Sequence, residues 1–483
     1  LAIEPFSRRV LGLRYVSTRG AAPDLGFDDV LLTGLARDGG LYVPAEWPRF
    51  DDARWRDLAG RSYAEIAEAV LAPFLAGSVA APALPEILAR AYSTFRHPAI
   101  APLKQLRGND WLMELFHGPT LAFKDYALQL LGQLFDHVLT ARGQRIAILG
   151  ATSGDTGSAA IESVRDRQAV DIFILFPHGR VSDVQRRQMT TVTSANVHAI
   201  AVEGSFDDCQ DIVKALFNDL AFRDAAHLAA ANSINWARIV AQTVYYAVAA
   251  LALGAPDRKI GFAVPTGNFG NVYAGYVARQ MGLPIDKLVI GTNRNDILAR
   301  FLASGTMATA PVEPSLSPSM DIQVSSNFER LLFELLGRDG AKLTDWMNTF
   351  RHSGVAKLDG SLMATLRGLF DGTGISDEQT QATIRTVYEE TGEVLDPHSA
   401  IAVQAARNVR GDPRLPMVSL ACAHPAKFAP AVRGAIGIEA PLPPHMAHIM
   451  TAPERVTVLP NSADAVRDVL AQRLGLRGFG GVA

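Results

Sequence analysis

The sequence predicts an α/β protein built on doubly wound, mainly parallel sheets. Three observations lead there. From about residue 140 onward, short apolar runs alternate with stretches of helical periodicity, the pattern in which each crossover helix returns the chain to a parallel strand. The runs are Ile146 to Leu149, Asp171 to Phe176, Asn196 to Val202, Gly261 to Val264 and Lys287 to Gly291. Two of them lead into glycine-rich turns that open directly into helical patterns, Gly150 to Ser158 and Val264 to Asn271. Finally, 483 residues with 48% hydrophobic and 20% charged side chains suffice for two or three domains with sizeable cores.

Taken in order, residues 1–13 begin without Met and precede the first motif, and they are expected to be a loosely packed extension. Arg8 and Arg9 are not followed by the apolar run and cleavage pattern of a secretory signal, so export is not indicated. Residues 14–98 mix helical periodicity, at Tyr63 to Phe74 and Leu84 to Tyr92, with Pro/Gly punctuation, and they read as an N-terminal domain. Ser205-Phe206-Asp207-Asp208 has the form of a helix start. The apolar stretch Val244 to Leu253 falls short of the roughly 20 residues needed to span a bilayer and reads as a buried helix. A helix is expected from about Val272 to Met281. Residues 295–395 are more polar and helix-rich, with Pro311, Pro314 and Pro318 marking loops, and Val418 to Cys422 and Val456 to Leu459 read as late strands.

The chemistry concentrates around Phe116-His117-Gly118-Pro119-Thr120-Leu121-Ala122-Phe123-Lys124-Asp125. A lysine at a helix N-terminus meets the positive end of the macrodipole, and apolar flanks desolvate it. Both effects favour the neutral, nucleophilic amine, which can hold an aldehyde cofactor. The two glycine-rich turns offer close backbone approach and free N–H groups at a helix start, hence candidate anion cradles. Neither carries a phosphate-loop lysine or a dinucleotide fingerprint. Read locally, other roles stay open: a snorkelling surface Lys124, plain turns, an Arg238 paired with an acid, a small core Cys422.

Composition narrows the partners. A net charge of −3 and a pI near 6.4 give no electrostatic case for nucleic acid or an acidic membrane, and favour a small-molecule partner. Two cysteines, Cys209 and Cys422, argue against a disulfide framework and suit a reducing cytoplasm. His445-x-x-His448 lacks a third ligand, so no metal is expected. His117 and His424 are read as structural. Only eight lysines occur among 46 basic residues, so few compete with Lys124.

Together these motifs resemble the threonine synthase family of fold type II enzymes dependent on pyridoxal 5'-phosphate (PLP). The resemblance includes Tyr15 to Gly20, Asp38 to Pro44, the lysine segment, both glycine-rich turns, Asn232 to Arg238, Thr292 to Asp296, Ser319 to Asp321 and Ala423 to Phe428. It implies two α/β domains enclosing the cofactor, the smaller at about 126–245 and the larger formed by 99–125 and 246–483, with a helical insertion at about 295–395. Lys124 would hold PLP covalently and act as the catalytic base. Gly267, Asn268, Phe269, Gly270 and Asn271 would cradle the cofactor phosphate, through backbone amides and the Asn271 side chain. Asp155 stands where many relatives have Asn, beside the pyridine O3' oxygen. An ionised carboxylate there would be repulsive, so its role is open. Cys422 stands where relatives often carry Thr and is expected to face the pyridine nitrogen. Ser153, Thr156, Asn232, Ser233 and Arg238 match substrate contacts. The implied reaction is conversion of O-phospho-L-homoserine and water to L-threonine and phosphate, the last step of threonine biosynthesis. The alternative is a phospholyase releasing 2-oxobutyrate. Monomer and homodimer are both left open.

Overall fold

The computed structural model describes residues 12–230 and 233–479. Two sheets organise it. The larger has the strand order Phe370–Gly374, Ile285–Thr292, Ile260–Pro265, Met417–Ala421, Asp110–Glu114, Leu103–Arg107, all parallel except the last pair, an antiparallel hairpin. The smaller is wholly parallel, in the order Thr457–Pro460, Val197–Glu203, Val170–Pro177, Ile146–Ala151, Leu228–Ala229.

Alternation along each strand explains why both sheets are covered on both faces. In the larger sheet Ala263 and Val289 pack against Ala405 and Ala406 of the helix Pro397–Val409, while Phe262, Val264, Leu288 and Ile290 join the main core with Val272 and Tyr273 of the helix Gly270–Gln280. In the smaller sheet Leu149, Phe173 and Ile200 face Cys209 and Ile212 of the helix Phe206–Asn218. Ile148, Ile172 and Ile174 turn instead to the main core, with Ile161 and Val164 of the helix Asp155–Val164. Period-2 strands buried on both faces are the mark of a doubly wound sheet.

The expected elements recur with small shifts of boundary. The helices Tyr63–Leu71 and Leu84–Tyr92 form, the first started by a capping box from Ser62 to Glu65. Ser205 starts its helix in the same way, with Asp208 returning a bond to the Ser205 amide. Two expectations on organisation are corrected, while residues 14–98 pack tightly on the rest of the chain, with Trp55, Tyr63, Ile66 and Ile87 in the same cluster as Tyr126 and Trp236. Thr457–Pro460 pairs with Val197–Glu203, and Val466 and Leu470 of the following helix pack under the smaller sheet, so the end of the stretch assigned to the larger domain belongs with the smaller one. The expected helical insertion is interrupted by Phe370–Gly374, an edge strand of the larger sheet. No described helix is long and apolar enough to cross a membrane.

One close contact sets the spacing of the two helices that matter most. Gly132, in the middle of the helix Lys124–Arg142, lies so near the helix Asp155–Val164 that a Cβ there would stand 1.9 Å from the Ser163 carbonyl oxygen. Alanine favours a helix over glycine by about 1 kcal/mol, but forcing these backbones apart costs about 1–3 kcal/mol and dominates. We expect Gly132→Ala to lower the melting temperature by several degrees and weaken cofactor retention. Thermal melts and absorbance after gel filtration test this.

Candidate active site

Lys124 is the first residue of its helix, and the turn before it is held from within. Asp125 accepts from the Thr120 amide at 2.8 Å and the Thr120 hydroxyl at 2.6 Å, and Leu121 takes a left-handed φ of 62°. Burial pushes the Asp125 carboxyl up to about 6. The same turn is stitched to the end of the strand Met417–Ala421. The Phe123 amide donates to the Cys422 carbonyl at 2.8 Å, and the His424 amide to the Leu121 carbonyl at 3.0 Å. Lys124 and Cys422, almost three hundred positions apart, thereby become neighbours.

Asp155 arrives from the other sheet. It opens the helix after Ile146–Ala151, where Thr152 Oγ1 accepts from the amides of Gly154 and Gly157 and closes the turn. Gly154 adopts φ 143°, and a Cβ there would meet the Gln185 side chain at 2.5 Å. The Asp155 carboxylate is surrounded by donors. Lys124 Nζ lies 3.3 Å from Oδ2, while Lys427 Nζ at 2.7 Å and Gln185 Nε2 at 2.8 Å address Oδ1. Burial by itself would raise this carboxyl; the two ammonium groups overcome that and hold it well below the usual carboxylate range. Burial lowers the pKa of the Lys124 ammonium, Asp155 opposes the shift, and Lys427 reinforces it.

Cys422 and Asn271 form the next contact. Tyr245 and Tyr246 donate to Asn271 Oδ1 at 2.6 Å and 3.0 Å, which turns Nδ2 toward Cys422 Sγ, 3.8 Å away. The Asn271 side chain is thus engaged on the Cys422 side. Burial raises the Cys422 thiol well above its ordinary value, so it stays protonated. Behind it, the Cys422 amide donates to Ser399 Oγ, which in turn donates to Asp396.

The Gly267–Asn271 turn is a cradle because its carbonyls are drawn outward. The Ser325 hydroxyl donates to the Gly267 carbonyl, and Asn327 donates to the Asn268 carbonyl from both its amide and its Nδ2. Phe269 takes φ 64° and packs its ring against Phe328 and Phe370. Among the described residues, the amides of Asn268 to Asn271 make no hydrogen bond. Four N–H groups at a helix start are therefore available to an anion. Asn327 Nδ2 also donates to the Ser233 carbonyl at 3.1 Å, and its Oδ1 accepts from Arg330, a fully buried guanidinium that further donates to the carbonyls of Ile234 and Tyr42. Arg238 lies in the first turn of the helix Trp236–Ala252 and is 5% exposed; burial lowers it to about 10.

The structure thus gathers Lys124, Asp155, Asn271 and Cys422 into one cluster, beside the amides of Gly267 to Gly270. Ser153 is exposed and Thr156 half-buried at the mouth of the Asp155 turn, and Asn232 lies outside the described residues. Sequence reasoning gave no role to Lys427, Gln185, Asn327, Arg330, Tyr245 or Asp396. Lys427 had a signal: it is one of only eight lysines and follows Cys422 by five positions.

Three family models match the chain: "Threonine synthase N terminus" over 14–92, "Pyridoxal-phosphate dependent enzyme" over 95–422 and "Threonine synthase, C-terminal" over 399–470. The threonine synthase of Pseudomonas aeruginosa is 56% identical over 467 residues, 96% of this chain and 99% of that protein. The chain belongs to the threonine synthase family. The Saccharomyces cerevisiae threonine synthase is 42% identical, over 87% of this chain and 89% of its own length. The crystal structure of PLP-bound threonine synthase from Brucella melitensis superposes with a TM-score of 0.94 at 53% identity, covering 96% of this chain and 99% of that one. PLP is the cofactor of this threonine synthase family chain, and the residues fit it: a desolvated amine at Lys124 for the aldehyde, and four unbonded amides at 268–271 for the phosphate.

His424 caps the short helical turn that follows it. Its Nδ1 accepts from the Ala426 amide at 3.2 Å and its ring meets Phe116 edge-on. Burial, with the His117 charge adding to it, pushes it from the usual 6.5 down to about 4. Between these values the unfolded chain binds the proton and the folded chain does not, so this contribution to stability is complete above pH 6.5 and falls away toward pH 4. At most about 3 kcal/mol is involved. Urea unfolding of the wild type and His424→Asn across that range should show a shallower pH dependence in the variant.

Proposed function

We propose that the protein converts O-phospho-L-homoserine and water to L-threonine and phosphate. The observation that most supports this is a buried Lys124 amine beside the ionised Asp155, in a chain similar to threonine synthases over almost its whole length. When bound, PLP supplies an aldehyde that joins to an amine and a conjugated ring that takes up the electrons left by a departing proton.

The remaining work falls to side chains and amides. The amides of Asn268 to Asn271 would hold the cofactor's phosphate end, and Cys422 would serve the pyridine nitrogen as a weak, neutral partner that supplies no proton-holding charge. The free Lys124 amine would remove the substrate's Cα proton and later return it. Its low proton affinity in this pocket suits it to both turns. The leaving phosphate is held by Arg238, whose planar fork donates two parallel bonds, together with Ser153, Thr156, Asn232 and Ser233. Loss of a Cβ proton drives the phosphate, with the electrons of its bond, from Cγ; Cγ takes up a proton in its place, and water gives its hydroxyl to Cβ and its other proton to the departing phosphate. Two free, buried cysteines suit a cytoplasmic setting for this reaction.

Incubation with O-phospho-L-homoserine is expected to release phosphate and threonine in equal amounts; phosphate accompanied by 2-oxobutyrate would replace this reading with a phospholyase. Arg238→Lys keeps the charge and loses the fork, and should raise KM for the phosphorylated substrate about tenfold or more. An unchanged KM and kcat would remove Arg238 from the substrate site.

A further inference from the structure

The site holds two lysines and one carboxylate. Lys427 has a fully buried side chain, lies 2.7 Å from Asp155 Oδ1, and donates to the Thr120 carbonyl at 2.8 Å, an oxygen that also accepts from Gln188. Lys124 reaches the other carboxylate oxygen at 3.3 Å and has no second acceptor among the described hydrogen bonds. It also begins a helix, where the dipole disfavours a cation. A buried group of two ammonium ions and one carboxylate carries a surplus positive charge, and such a charge is expensive to keep out of water. The shorter contact and the second acceptor make Lys427 the more firmly held partner of the carboxylate. Facing Lys124 from the neighbouring elements are Asp155, Lys427 and the protonated thiol of Cys422; Asp125 lies next along its own helix, and Asp396 lies behind Cys422.

We propose that Lys427 is a positioning residue: its ammonium is the permanent partner of the Asp155 carboxylate, and this leaves Lys124 as the surplus cation that sheds its proton and reacts as a free amine. The pairing also accounts for the aspartate. Asp155 can remain ionised beside the cofactor because its charge is already neutralised from the side away from Lys124. The inference rests on the reading of Lys124 as the cofactor-binding amine.

The test is the pH dependence of cofactor capture. Holoenzyme is stripped of PLP and reloaded between pH 6 and 9.5, and the rate at which the visible band of the covalently bound cofactor returns is recorded. Without Lys427, Asp155 pairs with Lys124 alone and stabilises its charged form. Lys427→Gln should therefore move the midpoint up by about one pH unit, a tenfold loss of neutral amine at fixed pH. Lys427→Arg should restore the wild-type midpoint, and Asp155→Asn should move it down. An unmoved midpoint in Lys427→Gln would overturn the proposal. If that variant does not fold, an unmoved midpoint in Asp155→Asn overturns it instead. Lys124→Ala distinguishes the two levels: a band that still forms there removes the reading of Lys124 rather than the role of Lys427.

Discussion

The carboxylate of Asp155 between Lys124 and Lys427 is the interaction on which the rest of the site depends. Its three members come from different places: the start of the helix Lys124–Arg142, the turn after a strand of the smaller sheet, and the segment beyond the strand Met417–Ala421 of the larger sheet. A buried ion cluster tolerates little displacement, because attraction falls with distance while the cost of desolvation stays. The close backbone contact at Gly132 and Ser163, and the stitching of Phe123 to Cys422, serve this one geometric demand. Gln185, from the helix Asp183–Thr190, fixes the remaining freedom of the carboxylate.

A second buried cation does the same for the anion cradle. Arg330 joins the N-terminal segment through Tyr42, the segment before the Trp236 helix through Ile234, and the cradle through Asn327. Glu329, one residue earlier, receives Thr18 and Arg19. The N-terminal segment is therefore a brace for the cradle, which explains why it shares the main core. Removing one partner from such a network leaves the others buried and unsatisfied, so its members act as a unit.

Much of this was legible in the sequence. Four of the five strands of the smaller sheet were placed within a residue or two because they are apolar and bounded by turns, whereas the two-residue strand Leu228–Ala229 was missed. Lys124 was found because its flanks are apolar and a helix follows it. The hairpin Leu103–Arg107 with Asp110–Glu114 gave no such signal, since its outer strand is an edge, half exposed and polar. Phe370–Gly374 was missed because Asp371 and its two glycines weaken any strand signal. The role of Asp155 stayed open because its neutralising partner lies far away in sequence.

What the sequence by itself determined is local: which segments are helix or strand, which amine is desolvated at a helix start, and which turns present amides. These follow from interactions within a few residues, and the family motifs made them a recognisable set. What only the tertiary structure decided is which charges share a pocket. Lys427 with Asp155, Arg330 with Asn327 and Ile234, and Thr457–Pro460 with Val197–Glu203 are pairings between distant segments. Coulombic and hydrogen-bond energies depend on separation in space. Periodicity along a chain carries no information about that distance until the sheets are packed.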